Sequence, residues 1–422
     1  MLAWPQNQII PMRSFKNSIE YWHKVSNVIP GGCSTIAKSP TRLYSGHNPF
    51  YCVQGKGAYF KDVDGNNWLD CDMSMGSLIW GYCNEDVNIA ITEQLGKGVT
   101  FSLPSIIELE LAELILSRLG KYTLIRFCKN GADAVSAAVR LARTATKRDK
   151  IVYAAYHGWH DWSAYGYYGE TPERLGIPHQ IKQDVIWLSQ QVLAGETEQL
   201  INQYKEDIAG LVLCPGNWST QDLIAIRELC LSLNIILIFD EVSSGMRWGL
   251  KGATGMHNVW PDLLCLSKGL ANGLPLAALT GKSELMELCM QIKFSNAHSS
   301  ECVSIAAAMA SEKLLCKQPV WPSWKLPGQQ IIDSIMTIIS ENDANRHLTI
   351  TGNYAGFRVH TPGKSIHNDL FHRFLLSSFA AHGIFSMGYV LLSASHSEQD
   401  IILIESCLTS AVHSWLTQLR KQ

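Results

Sequence analysis

Charge is sparse in this chain. Only 17% of its 422 residues are Asp, Glu, Lys or Arg, and the formal net charge is −2. No basic block stands out, which removes the electrostatic basis for a nucleic-acid or anionic-membrane partner. Long apolar runs are absent as well. A membrane-spanning helix needs about 18 consecutive apolar residues, and no such stretch occurs. The opening MLAWPQNQIIPMRS lacks the apolar stretch of an export signal. None of the twelve cysteines are paired at metal-ligand spacing, so they read as reduced, mostly buried small apolar side chains. Internal repeats and low-complexity linkers are missing. The expectation is a soluble cytoplasmic protein without a bound metal.

What is plentiful is apolar surface. Residues of that class make up 46% of the chain, enough for a large core and for a subunit interface besides. The length predicts two domains or one large α/β unit. The first 75 or so residues read as an irregular arm and then a hairpin. GAYFKDVDGNNWLDCD alternates apolar and polar residues on both sides of a DGNN turn. Asp62 and Asp64 resemble the start of a calcium loop, but the glycine and later ligands fall in the wrong places.

From about residue 85 to 315, LIRFC, IVYAA, GLVLC, IILIF and LLCLS read as buried strands. Helical periodicity fills the spaces between them, as in ADAVSAAVRLARTA and QDLIAIRELCLSL. Continuous apolar strands separated by helices predict a mostly parallel sheet covered on both faces. EQDIILIESCLTSAVHSWLTQL, near the end, reads as one amphipathic helix. The expected organisation is an arm and part of a small domain over 1–75, a large domain over 76–318, and the rest of a small α+β domain over 319–422.

Four segments carry chemistry, and each also has a plainer reading. In KNGADAVSAAVRLAR a strand ends at Asn130, Gly131 and Ala132 and a helix begins. Free N–H groups and the positive dipole end make that a phosphate site, although such joints are common in α/β proteins. In AAYHGWHDW, Tyr156 could lie against a planar cofactor. His157, His160 and Asp161 fit no strong metal spacing, so a hydrogen-bonded aromatic loop is the alternative. In IILIFDEVSSGMRWG, Asp240 and Glu241 follow five apolar residues. A carboxylate there needs a cation or a donor, and strand carboxyl ends are where open sheets bind ligands. The plainer reading is a surface acid pair. In PDLLCLSKGLANGLPLAALTG, Lys268 follows a buried strand and precedes a glycine-rich loop. Desolvation would favour its neutral amine and so Schiff-base chemistry. A solvated strand-end lysine is the alternative.

Together these are the parts pyridoxal phosphate requires: an amine for its aldehyde, a cradle for its phosphate, an acid for its ring nitrogen and a ring to stack on. On these segments the chain resembles the class III aminotransferases of fold type I, and within them the glutamate-1-semialdehyde aminomutase branch. The likeness runs from about Ile29 to at least Leu315. It implies that Lys268 forms the Schiff base and Asp240 holds the ring nitrogen. It implies that Val242 and Tyr156 face the ring, beside His157, and that Asn130, Gly131 and Ala132 cradle the phosphate. It also implies a homodimer whose SNAHSSECVS loop, 295–304, completes the partner's phosphate site.

The chain departs from that pattern in three places. The family's phosphate-binding threonine falls on Ala297, with Ser299 or Ser300 as substitutes. Its usual Glu-Pro is Cys214-Pro215, leaving Asn217 as the polar neighbour of the ring hydroxyl. Its Ser-Gly-Thr turn is Asn130-Gly131-Ala132. For substrate, Arg42 resembles the branch's carboxylate-binding arginine, Glu301 could take an amine or hydroxyl, and Arg358 and His396 are further candidates. The expected reaction moves an amino group from a small-molecule donor to a carbonyl acceptor. Intramolecular transfer of the aminomutase kind, a decarboxylase or racemase on the same fold, and a non-catalytic homologue are the alternatives.

Overall fold

The computed structural model describes residues 13–42, 48–168, 175–188, 194–317, 321–363 and 369–420. The chain divides into two compact units. One draws on 1–75, 79–84 and 322–422, the other on 76–78 and 85–321.

In the first unit, the segment read as an irregular arm contains a helix, Lys16–Val25. Asp64 holds its start, accepting the N–H groups of Asn17 at 2.7 Å and Ser18 at 2.8 Å. A carboxylate at that end suits the helix dipole. Strands β1 (Cys52–Lys56), β2 (Tyr59–Asp62) and β3 (Asn67–Asp70) follow. β2 and β3 are antiparallel across the DGNN turn, as the alternation predicted. Asp62 accepts the backbone N–H groups of Asp64 and Asn66 and the indole N–H of Trp68. Both aspartates therefore serve the turn and the helix start.

The second unit is built on a seven-stranded sheet. Its strands are β4 (Leu124–Cys128), β5 (Lys150–Ala154), β6 (Val185–Leu188), β7 (Ile208–Leu213), β8 (Ile236–Glu241), β9 (Leu263–Leu266) and β10 (Ala277–Gly281). Their order is β4-β10-β9-β8-β7-β5-β6. β5 through β9 run parallel, and β10 is antiparallel to both of its neighbours, β4 and β9. All five apolar runs are strands. β6 and β10 were not anticipated. Every residue of β7 and β9 is buried, which is why their sequences show no alternation. The Gly131–Thr146 helix covers one face with Ala134, Val135, Ala138, Leu141 and Ala142. Each fully buried Leu or Val contributes about 1.5–3 kcal/mol.

Deep in the same unit, Arg118 and Glu312 form an ion pair with both side chains fully enclosed. Arg118 also donates to the Leu250 carbonyl and Met246 Sδ. Removing one partner of such a pair costs about 3–5 kcal/mol, because the other charge is left buried alone.

The first unit resumes with the hairpin β11 (Thr349–Asn353) and β12 (Gly356–His360), and with β13 (Ile384–Phe385), which pairs with β3. The final helix, Glu398–Leu419, covers the segment read as amphipathic and starts with a Ser397–Asp400 capping box. Among the described residues no helix is long and apolar enough to cross a membrane.

Candidate active site

Parallel strands deliver the residues after their carboxyl ends to one edge of the sheet. β8 ends in Asp240 and Glu241, and the adjacent β9 runs through Ser267 into Lys268. β7 leads to Cys214, β5 to Tyr156 and His157, and β4 to Asn130.

Lys268 has a backbone φ of +48°. A non-glycine residue there stores about 1–2 kcal/mol, a strain that the turn enforces and that is typical of functional positions. Its Nζ donates to Ser243 Oγ at 2.7 Å. Ser243 escaped the sequence reading, since a serine two residues beyond a strand carries no signal of its own.

Asp240 is only 6% exposed. Its Oδ1 accepts the Val242 N–H at 2.9 Å, and its Oδ2 lies 2.7 Å from His157 Nδ1. His157 Nε2 is 2.7 Å from the Ala154 carbonyl. A carbonyl only accepts, so Nε2 carries hydrogen. One further proton must then lie between Nδ1 and Oδ2. With its ring enclosed and both nitrogens engaged by the protein, His157 backs Asp240. Its two ring nitrogens are taken up by Asp240 and the Ala154 carbonyl.

The cradle and the aromatic loop are latched together. Gly131 opens the helix with no left-handed φ, so backbone freedom is not its reason. A β-carbon there would meet Val242 Cγ2 at 2.6 Å, and close approach is what requires glycine. Gly158, at φ +109°, packs against Ala132, where a β-carbon would come within 2.5 Å. Ser136 Oγ accepts the Trp162 indole N–H at 2.9 Å and bonds His160 Nδ1 at 2.7 Å. Asp133 Oδ2 accepts the Asn130 N–H at 3.2 Å and its Nδ2 at 3.0 Å. Gly131 and Ala132 open the helix, so their N–H groups have no intrahelical carbonyl to bond. Tyr156 is 46% exposed, with its ring edge-on to Tyr167 at 5.2 Å.

Cys214 Sγ lies with ligand atoms of His157 and Asp240 inside a 4.8 Å cluster, the one such group among the described residues. This is a poor metal site. The 2.7 Å Nδ1–Oδ2 contact is a hydrogen bond with no cation's width between the atoms. Burial, and then the Asp240 charge, push the Cys214 thiol well above its ordinary value, so it stays protonated. Asn217 sits at the exposed end of the Pro215–Asn217 turn.

The 295–304 segment is less simple than expected. Ser299 and Ser300 lie in its turn, partly buried, and Ala297 is exposed. Glu301, expected to meet substrate, is engaged within the chain. It pairs with Lys129 Nζ at 2.9 Å and accepts the Val303 N–H at 2.6 Å and the Ser304 hydroxyl at 2.7 Å. Burial opposes its charge, but these donors outweigh burial and hold its carboxyl below the ordinary value. Arg42 ends a short turn, Pro40–Arg42, and its side chain lies outside the described residues. Arg358 stacks over Tyr389 at 5.8 Å, and His396 Nδ1 accepts the Ser393 N–H at 3.0 Å, both within the first unit.

The Aminotransferase class-III family model matches residues 44–388. The chain belongs to the class III aminotransferases. Glutamate-1-semialdehyde 2,1-aminomutase of Natranaerobius thermophilus is 28% identical over 81% of this chain and 83% of its own. The protein of the same name from Methanothermobacter thermautotrophicus is 31% identical over 83% of this chain and 85% of its own. A solved transaminase with PLP bound has a TM-score of 0.85 and 26% identity, covering 96% of this chain and 99% of its own. The seven-stranded sheet is thus the class III aminotransferase sheet, with Lys268 and Asp240 together at one edge.

Proposed function

We propose that this chain is a pyridoxal-phosphate-dependent aminotransferase that holds the coenzyme on Lys268. The observation that carries the reading is the delivery of Asp240 and Lys268 by adjacent parallel strands to one edge of the sheet. The residues fit the group: a buried acid for its ring nitrogen, a primary amine for its aldehyde, and open N–H groups at Gly131 and Ala132 for its phosphate. Bound there, the coenzyme supplies an aldehyde for the Schiff base and an electron-withdrawing ring.

The chain's own residues do the rest. Asp240 Oδ holds a proton on the ring nitrogen, and His157 fixes that carboxylate in place. Val242, pressed against Gly131, ties the ring position to the phosphate cradle. Lys268 Nζ, once displaced, removes the proton from the substrate carbon and returns it. Ser243 Oγ holds the free amine within reach. A cytoplasmic homodimer, with residues 295–304 reaching the partner's site, completes the proposal.

The test is a spectrum. Pyridoxal phosphate added to the purified chain should give Schiff-base absorbance that amino donors bleach and carbonyl acceptors restore. A persistent Schiff base in Lys268→Ala would defeat the assignment. The relatives' shared name favours a second reading, amino transfer within one molecule. Product formed from a single amino aldehyde, with no added acceptor, would establish it. Cys214 and Ala297 motivate a third, a homologue that does not turn over, and failure of every donor to bleach the bound coenzyme would establish that.

A further inference from the structure

A cavity of the second unit lies at the edge of the sheet opposite Lys268. Its volume is about 490 Å³, within the range that holds a small organic ligand. β9 links the two edges, with Asp262 before its first residue and Lys268 beyond its last. At about 3.3 Å per residue that places the cavity floor roughly 15–20 Å from Lys268.

The floor is a fixed cationic platform. Arg227 grips Asp262 with both guanidinium nitrogens, at 2.7 and 2.9 Å, and Lys282 Nζ adds a third contact at 2.8 Å. Asp262 also accepts the Leu237 N–H at 2.8 Å, which pins it to β8. Two cations thus share one buried acid and leave positive charge facing the cavity. Exposed Lys121 adds a third cation at the rim, against the single lining acid Glu228.

One wall is aromatic and equally fixed. Tyr122 donates to the Pro261 carbonyl at 2.7 Å and meets Trp260 edge-on at 5.7 Å. Lys251 Nζ stands 5.9 Å from the Trp260 ring centre. A flat wall beside three cations, Arg227, Lys282 and Lys121, set against two acids, Asp262 and Glu228, is the chemistry that selects a ring bearing a negative charge.

We infer that this cavity is a second small-molecule site, for a ring-bearing organic anion. It is independent of the Lys268 chemistry. The full chain, with and without pyridoxal phosphate, is titrated by fluorine NMR with p-fluorobenzoate, and with p-fluorobenzyl alcohol as the neutral control. The anion is expected to bind saturably and at least about tenfold more tightly than the alcohol. Lys121→Glu should weaken the anion about fivefold, and Trp260→Ala about tenfold. The Asp262 bonds run to Arg227, Lys282 and the Leu237 N–H, not to these two residues, and circular dichroism checks the fold of each variant. Lys268→Ala should bind as wild type does. Equal affinity for acid and alcohol, or indifference to both cavity substitutions, overturns the inference. So does loss of binding in Lys268→Ala, which would place the probe at the other edge of the sheet.

Discussion

His157 Nδ1 stands 2.7 Å from Asp240 Oδ2 while its other nitrogen is fixed on the Ala154 carbonyl. The acid proposed to hold the coenzyme nitrogen is therefore itself held, from a loop 83 residues earlier in the chain. His157→Phe should keep the ring volume and remove the donor. The carboxylate would then be free to turn away from the ring nitrogen. Turnover should fall by about 10–100-fold, with the loss mainly in kcat, as expected of an outer partner that orients a functional group. His157→Asn, which keeps one donor, should recover part of it. Full activity in the phenylalanine variant would show that the contact is idle.

Gly131 and Val242 make a second coupled pair. A β-carbon at Gly131 would meet two Val242 methyls at 2.6 and 2.8 Å, so something must move. Gly131→Ala should cost about 1–3 kcal/mol and weaken coenzyme binding, since the displaced element is the phosphate cradle. Adding Val242→Ala should restore much of the stability. Denaturant midpoints of the two single variants and the double variant measure the coupling. Strict additivity would refute the steric account.

Much of this site was legible because buried parallel strands leave unmistakable runs. IILIF and LLCLS lead into Asp240 and Lys268, and the structure makes both runs adjacent parallel strands that bring the two residues to one edge of the sheet. β10 was missed because AALTG is short, rich in small residues and set in a glycine-rich stretch that reads as loop. The Lys16–Val25 helix was missed because it buries only Ser18 and is capped by Asp64, far along the chain. The roles of His157, Ser243 and Glu301 are pairings between distant segments. No local pattern encodes them, and Glu301 in particular looked free until Lys129 and Ser304 claimed it.

Cys214 stands beside Asp240 where the family resemblance places a glutamate. Burial and the neighbouring carboxylate raise its thiol well above the ordinary value, so the reactive thiolate is scarce at neutral pH. Iodoacetamide should label the exposed Cys52 and Cys83 first and reach Cys214 only slowly. The Cys214 rate should climb as the solution is made more alkaline. Peptide mapping of a timed reaction reads this directly. Rapid labelling of Cys214 at neutral pH would mean that a nearby cation, Lys268 foremost, governs the thiol instead.

Asp262 sets an acid limit on the sheet. Burial would raise its pKa, but Arg227, Lys282 and the Leu237 N–H outweigh burial and hold it below the ordinary 3.8. Folding therefore gains stability from this carboxylate above 3.8, where it is charged in both states. As the pH falls below that value, the unfolded chain takes up the proton first, and the contribution drains away until the folded pKa is passed. Asp262→Asn should be destabilised by about 3–5 kcal/mol at neutral pH, since Arg227 and Lys282 lose their acid. It should also lose less stability than wild type between neutral pH and about pH 3. Urea midpoints across that range give both slopes, and parallel slopes would show that other carboxylates set the acid limit. Because Asp262 is bonded to β8 and opens β9, its protonation should loosen the two strands that carry Asp240 and Lys268 before the rest of the unit unfolds.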